Sequence, residues 1–171
     1  MSQRPQAEEY AEYHGSYIIQ VEGDEVLEVL TRGLRDIMEL LGNLPEEKWE
    51  YRYAPEKWTI KELVIHMIDT ERIFAYRCLR IARNDQTPLI GFEQNGYVPY
   101  SNAAERSPQS IMEEYKTVRA ATLSLFQHLR PEDLIRRGTT SGFPTSCRST
   151  AFALAGHEVH HMKVLREKYL S

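Results

Sequence analysis

The sequence predicts an all-α protein whose long helices pack as a four-helix bundle. Four long segments repeat their apolar side chains every three or four positions, which is the helical period. No segment of useful length alternates apolar and polar residues as a half-buried strand would. The connections between the segments are long, as expected for a bundle in which consecutive helices are not neighbours.

The first predicted helix runs from about Asp24 to Gly42. Asp24 is its expected N-cap, because an aspartate side chain accepts hydrogen bonds from the free N–H groups of a first turn. Gly42 and the following Pro45 are typical of a helix end. The apolar stripe that would face the bundle consists of Leu27, Leu30, Leu34, Ile37 and Leu41.

The second predicted helix runs from Thr59 to about Arg83. Thr59 and Glu62 have the spacing of a capping box, in which each side chain bonds to the other residue's backbone N–H group. Apolar residues nearly encircle the early turns of this helix, which predicts that it is buried on most sides.

The third predicted helix begins at Ser107, a capping residue followed by Pro108 at the position where proline is favoured. It stops before Pro131. The connection that precedes it, residues 84–106, is longer than most loops in compact domains, which indicates a site or an interface. Its apolar stripe consists of Ile111, Tyr115, Val118, Thr122, Leu125 and Leu129.

The fourth predicted helix, from Ser149 or Thr150 to Tyr169, carries a cluster of histidines. His157 and His161 are four residues apart, so both imidazoles project from one helix face, with Cβ atoms roughly 5–6 Å apart. That spacing allows two ring nitrogens to reach one metal ion.

A third ligand is needed, and His66 on the second helix is the best candidate. Three neutral histidines suit Zn²⁺ or Ni²⁺ and leave a coordination position open for chemistry. The alternative is that His157 and His161 belong to an ordinary solvated face. The pair interrupts a partly apolar stripe, which favours the metal site because buried polar groups need partners.

The length and composition of the chain limit the domain count and the classes of function. The 171 residues fit one domain, residues 1–171, and 42% hydrophobic with 27% charged residues is typical of globular proteins. A net charge of −4 gives no basic footprint for nucleic acid, and no apolar run is long enough for a membrane span. Two cysteines, Cys78 and Cys147, make a disulfide framework unexpected, so the predicted location is the cytoplasm.

Two aromatic segments predict further packing. The N-terminal residues 1–23 are too rich in tyrosine and isoleucine for a free tail, and we expect them to dock on the bundle or on a partner subunit. The long loop adds Phe92, Tyr97 and Tyr100. Together they offer more apolar surface than one bundle covers, which predicts a homodimer.

Three motifs, KWTIKE at 57–62 running into His66, DTER at 69–72 and GHEVHH at 156–161, together cover both histidine helices. With them the whole chain resembles the DinB-like (YfiT-type) superfamily of metal-binding four-helix bundles. The resemblance implies an up-up-down-down bundle with long crossover connections. It also implies one divalent metal held by His66, His157 and His161.

The reaction is less determined than the site. Members of the family include enzymes that use low-molecular-weight thiols, as S-transferases or isomerases, and others described as metal-dependent hydrolases. A metal ion in such a site can activate either a thiol or water. Hydrolysis also needs a general base, for which Asp69 and Glu62 are weak candidates, since one can merely orient an imidazole and the other caps a helix.

These considerations slightly favour transfer of a thiol to a small electrophilic substrate. A metal-dependent hydrolase and a non-catalytic, stress-related metal binder are the alternatives, and a purely structural bundle is a third. A small-molecule substrate is the expected partner, with a low-molecular-weight thiol as cosubstrate in the transferase hypothesis and without nucleic acid or membrane.

The remaining reactive side chains are assigned lesser roles. His160 points about 100° away from His161 on the helix and is not expected to be a ligand. His14 and His128 are expected to be solvated. Arg77 is expected to pair with a loop carboxylate, or else to bind an anionic substrate end. Cys147 precedes a helix but is expected to be inert rather than a nucleophile.

Overall fold

The protein is described here by a computed structural model of residues 4–171; Met1–Gln3 of the predicted N-terminal segment lie outside the described residues. Four long helices lie where the apolar periods predict them. In chain order the helices are α1 (Glu12–Ile18), α2 (Val26–Leu41), α3 (Ile60–Ala82), α4 (Pro108–Gln127), α5 (Pro131–Leu134) and α6 (Cys147–Val164), the last continued by a π-helical turn, Leu165–Tyr169.

Two of the four predicted helix starts are confirmed in detail. The hydroxyl of Thr59 accepts from the backbone N–H of Glu62 at 3.1 Å, and the Glu62 carboxylate accepts from the N–H of Thr59 at 2.7 Å. Ser107 caps α4 by accepting from the N–H of Ser110 at 3.2 Å, with Pro108 in the first turn. The reciprocal pair at Thr59 and the single bond at Ser107 satisfy backbone donors that no helical carbonyl reaches.

The other two starts differ from the prediction. The N-cap position of α2 is Glu25, not Asp24, whose carboxylate lies 3.6 Å from the guanidinium of Arg4. Helix α6 begins two residues earlier than expected, because Ser146 caps it by accepting from the N–H of Ser149. Serine is a good cap at either position, so the sequence alone does not separate them.

A β-hairpin that the sequence analysis missed precedes α6. Strands β1 (Arg137–Thr140) and β2 (Phe143–Ser146) pair antiparallel and are joined by Ser141 and Gly142, both with positive φ. Two such residues make the tight turn whose twist matches a hairpin. The strands have only four residues each, too few for a visible alternation.

The long helices form a bundle in which α3 packs against α4 and α6, and α2 packs against the same two helices. Consecutive helices α2 and α3 therefore lie at opposite corners, which agrees with their long connection. The core between them is mainly apolar, and its large fully buried apolar members include Leu30, Ile37, Leu41, Ile60, Ile68, Ile111, Phe126 and Phe152.

A disulfide joins Cys78 of α3 to Cys147 at the start of α6, with the two Cα atoms 4.7 Å apart. The expectation that these cysteines stay unpaired was therefore wrong. Their side chains are fully buried and 69 residues apart in sequence, a separation that no local pattern reveals. The link fastens together the two helices that carry the candidate ligands.

The N-terminal segment lies against α6 in the structure. The carboxylate of Glu9 accepts from Arg148 Nε at 2.8 Å, and the backbone oxygen of Glu9 accepts from Ser149 at 2.7 Å. Further along, Gly156 lets α1 approach closely, because a Cβ there would stand 2.0 Å from the backbone oxygen of Tyr17.

The buried Glu9 carboxylate predicts an acid-dependent loss of stability. Burial raises its pKa, but hydrogen bonds from Arg148 and Ser146 outweigh that effect and lower it from 4.5 to about 2. The stabilisation is therefore present above the unfolded value of 4.5 and is lost as the pH falls through 2. Urea titrations should show that Glu9→Gln lowers the free energy of unfolding by about 1–3 kcal/mol at pH 7.

The matched control is Glu8→Gln, since Glu8 is its exposed neighbour and should change stability by less than about 0.5 kcal/mol. The difference between Glu9→Gln and the native protein should shrink towards pH 2. A difference that stays constant between pH 7 and pH 2 would contradict the proposed role of the charge.

Candidate metal centre

Three imidazoles from two helices converge inside the bundle. Nε2 of His157 lies 3.0 Å from Nε2 of His66 and 3.0 Å from Nε2 of His161. One ring nitrogen from each residue can be chosen so that all three lie within 4.8 Å of one another. His66 and His157 are buried and His161 is partly buried, so the cluster belongs to the interior rather than to a solvated face.

The positions of the rings follow from the helix pairing. The four-residue spacing on α6 places His157 and His161 on the face that packs against α3, where His66 occupies the second turn. Aromatic side chains hold the rings from outside. The ring centroid of Trp58 lies 4.8 Å from that of His66, and the ring centroid of Tyr17 lies 5.3 Å from that of His157.

Protons alone do not satisfy this cluster. A neutral imidazole nitrogen carries either one hydrogen or one lone pair, so Nε2 of His157 can be fully bonded to only one neighbour. The second neighbour at 3.0 Å then either shares that one hydrogen or lone pair, which weakens both bonds, or brings a like group against it. A cation placed between the three nitrogens accepts all three lone pairs at once, and the donor set therefore fits a metal ion.

The electrostatic environment keeps all three rings neutral. Burial lowers the pKa of His66 to about 4. Burial, with the charges that neighbouring histidines would carry, lowers the pKa of His157 and of His161 well below the usual 6.5. Neutral imidazole is the form that binds metals, so no proton has to leave these rings at pH 7.

The other histidines lie outside the three. His160 lies beside the cluster, its ring centroid 5.0 Å from that of His161, but it does not join the converging nitrogens, as predicted. His128 is exposed, as predicted. The prediction for His14 was wrong: its ring packs 5.6 Å from that of Phe74, and burial with nearby Arg77 lowers its pKa to about 4.

The two carboxylates proposed as bases stand apart from the imidazoles. Glu62 is occupied by the capping box and by an ion pair with Arg52 at 3.1 Å. Asp69 borders a small cavity with His66, and burial raises its pKa, but its ion pair at 3.8 Å is with Arg72. Within residues 4–171, neither carboxylate is hydrogen-bonded to an imidazole of the cluster.

Glu158, next to His157 in sequence, belongs to a buried charged network that the sequence analysis missed. Arg119 of α4 is fully buried and makes a bidentate pair with Glu71 of α3, both distances 2.9 Å. It also donates to Glu158 of α6 at 2.9 Å and to the backbone oxygen of Leu30 in α2. The hydroxyl of Tyr115 donates to Glu158 as well. The network thereby links all four long helices.

A signal for this network was present in the sequence. Arg119 lies four residues after Tyr115 and eight after Ile111, on the apolar stripe of the third predicted helix. Glu158 lies between His157 and His161. An arginine on a core-facing stripe requires buried carboxylates as partners, and those carboxylates come from other helices.

Arg77 differs from expectation, whereas Cys147 agrees with it. Arg77 is buried, but its hydrogen-bond partners are neutral: the backbone oxygen of Ile90 at 3.1 Å and the hydroxyl of Ser141 at 3.3 Å. No carboxylate among residues 4–171 pairs with it, so the predicted loop carboxylate is wrong. Cys147 is inert, as expected, because it is buried in the disulfide.

Two clefts reach the cluster from different sides. The larger, about 440 Å³, is bordered by His157 and extends to Arg77. The smaller, about 250 Å³, is bordered by His161 and Trp58. A small molecule could therefore approach the imidazoles without unfolding of the bundle.

The family model of the DinB superfamily matches residues 30–165, which include every long helix apart from the first residues of α2. The chain belongs to the DinB superfamily. This confirms the resemblance carried by the three motifs. Among solved structures, this DinB-superfamily chain is similar to YfiT from Bacillus subtilis, described as a probable metal-dependent hydrolase with an unusual four-helix bundle topology.

The similarity to YfiT has a TM-score of 0.75 and covers 97% of this chain and 91% of that chain, at 14% sequence identity. It confirms the four-helix-bundle fold class, while the up-up-down-down order stays a prediction. A comparison with curated proteins gave no match. No helix within residues 4–171 is both long and apolar enough to cross a membrane.

Proposed function

We propose that this protein is a metal-dependent enzyme in which His66, His157 and His161 hold one divalent ion, with Zn²⁺ or Ni²⁺ the best fit. The observation that carries the proposal is the pair of 3.0 Å contacts at Nε2 of His157, which a cation satisfies better than a single shared hydrogen does. Three neutral nitrogen ligands suit these ions. When bound, such an ion would act as a Lewis acid that activates a nucleophile at neutral pH.

We further propose that the nucleophile is a small thiol and the reaction an S-transfer. The sulfur forms a bond to an electrophilic carbon, the leaving group departs with its electron pair, and the thiol proton passes to solvent. This reaction asks little of the protein beyond the metal ligands. Glu62 is committed to its helix cap, and neither Glu62 nor Asp69 is hydrogen-bonded to an imidazole of the cluster in the described residues, which disfavours hydrolysis through these carboxylates.

Hydrolysis is the second candidate, and Asp69 is the observation that favours it. Its carboxylate borders the same cavity as His66, and its raised pKa brings it closer to the value useful for proton transfer. The similarity to YfiT supports the fold of such an enzyme. Homodimer assembly and a cytoplasmic location stay predictions.

A panel of small thiols and electrophiles separates the candidates. For the zinc- or nickel-loaded protein we expect thioether formation that depends on both the metal and the thiol. His157→Ala should abolish it, while Asp69→Asn should retain it within about threefold, because the metal ligands remain. The matched control is His160→Ala, which removes a neighbouring imidazole outside the cluster.

Turnover without any thiol, lost in Asp69→Asn, would establish the hydrolase instead. A loaded protein that shows neither activity would contradict both reactions and leave a metal-binding protein without catalysis. Mass spectrometry of the product distinguishes the two reactions, because S-transfer adds the thiol to the substrate whereas hydrolysis adds the elements of water.

A further inference from the structure

The larger cleft contains an arginine without an acidic partner. Arg77 is only 4% exposed, and its guanidinium carbon lies 5.6 Å from the ring centroid of Phe74 and 5.7 Å from that of Phe92. The two rings stabilise the guanidinium in part, but a buried cation remains costly without an anion. Arg119, the fully buried arginine of α4, pairs by contrast with two carboxylates, those of Glu71 and Glu158.

The guanidinium is nevertheless held in place. Nη2 of Arg77 donates to the backbone oxygen of Ile90 at 3.1 Å and to the hydroxyl of Ser141 at 3.3 Å. The hairpin turn that carries Ser141 is itself bonded to the long loop, since the N–H of Ser141 donates to the oxygen of Leu89 at 2.8 Å. Both bonds use Nη2 of the guanidinium, and the fork geometry of arginine leaves further N–H donors for a ligand.

The acidic side chain that borders the cleft does not occupy this arginine. Glu93 accepts from the backbone N–H groups of Asn95 and Gly96 at 3.1 and 2.7 Å, and these bonds lower its pKa. His14, which also borders the cleft, is neutral at pH 7 because burial and Arg77 lower its pKa. The charged side chains on the cleft border are therefore Arg77 and the Glu93 carboxylate, and the hydrogen bonds of Glu93 are to the backbone rather than to Arg77.

The opposite end of the same cleft is the candidate metal centre. His157 borders it directly, and Thr70 and Phe74 of α3 lie between His66 and Arg77. Eleven residues separate His66 from Arg77, which is about 16 Å along a helix axis. The walls between the two ends include Phe74, so the middle of a ligand would contact apolar surface.

We propose that this cleft binds an elongated organic carboxylate whose anionic end pairs with Arg77 while its reactive end lies beside His157. A carboxylate fits because two of its oxygens match a guanidinium fork and its single charge neutralises one arginine. A phosphate dianion would leave one negative charge buried among aromatic side chains without a partner. The placement of the reactive end rests on the proposed function, whereas the carboxylate contact does not.

The carboxylate contact is tested first on metal-free protein, where direct ligation of a carboxylate to metal is impossible. Calorimetry compares 4-phenylbutyrate with the neutral 4-phenylbutanamide, which has the same shape. The native protein should bind the carboxylate about 10-fold more tightly, as expected for a charge-assisted pair. In Arg77→Met the ratio should fall to about 1, while Arg83→Met, which removes an exposed arginine just past the end of α3, should retain it.

Arg77→Lys provides a second variant that keeps the charge and tests the bidentate geometry if Arg77→Met does not fold. Its preference for the carboxylate should be reduced several-fold but not lost. An equal ratio in the native protein and both variants would overturn the proposal. So would the absence of a carboxylate preference in the native protein at millimolar ligand.

A second arm uses zinc-loaded protein and ω-mercapto acids of increasing chain length, each against the corresponding mercapto alcohol. The carboxylate preference should peak at the length that joins the two ends of the cleft and vanish in Arg77→Met. If zinc does not bind, the proposed function fails while the metal-free result still decides the arginine contact. If zinc binds but the carboxylate preference does not depend on Arg77, the inference about Arg77 fails while the proposed metal site stands.

Discussion

Replacement of His66 by alanine should abolish stoichiometric metal binding. Two imidazoles of α6 would remain, and two nitrogen ligands rarely hold a divalent ion against water. Substitution of a residue that only hydrogen-bonds to a metal ligand typically lowers metal affinity by about 10–100-fold. We therefore expect the loss of a ligand itself to lower the affinity by more than about 100-fold. Calorimetric titration with Zn²⁺ and with Ni²⁺, followed by elemental analysis after dialysis, measures this effect.

Two controls keep the result specific. His160→Ala removes an imidazole next to the cluster, and His128→Ala removes an exposed one, so both should bind metal like the native protein. Circular dichroism confirms that His66→Ala remains helical. Unchanged stoichiometric binding in folded His66→Ala would show that α3 contributes no ligand, which contradicts the proposed centre.

Replacement of Arg119 by methionine should have the largest effect on stability. It would leave the carboxylates of Glu71 and Glu158 buried without the cation that both now bond. Removal of one partner from a buried ion pair costs about 3–5 kcal/mol, a large part of the stability of a typical domain. Urea unfolding followed by circular dichroism measures the free energy of unfolding.

A matched surface variant separates this effect from a general loss of positive charge. Arg72→Met removes an exposed arginine paired with Glu114 and should cost at most about 1 kcal/mol. Combining Arg119→Met with Glu158→Gln should recover part of the loss, because one orphaned charge disappears. A cost below about 1 kcal/mol for Arg119→Met would contradict the importance assigned to the network.

The helices and their caps could be predicted because their causes are local. The capping box of Thr59 and Glu62 and the apolar stripe of α2 each depend on residues a few positions apart. The hairpin could not be predicted in this way, because its strands are short and its turn depends on two residues with positive φ. The disulfide joins Cys78 to Cys147 across a separation that only the packed bundle closes.

The three histidines of the candidate site could be predicted from the sequence, but the side chains that surround them could not. Helix spacing placed His157 and His161 on one face, and the family resemblance indicated His66. The side chains around them depend on tertiary contacts: Arg119 reaches Glu71 and Glu158 on other helices. The same holds for Arg77, whose neighbours come from the long loop and the hairpin. No spacing rule within one helix predicts such groupings.

The measurement that tests the account most directly is X-ray absorption of the protein loaded with one equivalent of Zn²⁺ or Ni²⁺. We predict one tightly bound ion per chain whose spectrum shows scattering from three imidazoles, with Zn–N distances of about 2.0–2.1 Å in the zinc form. The remaining coordination should change when a small thiol is added. A spectrum with no imidazole scattering, or a native protein that binds no metal at micromolar concentration, would contradict the central claim.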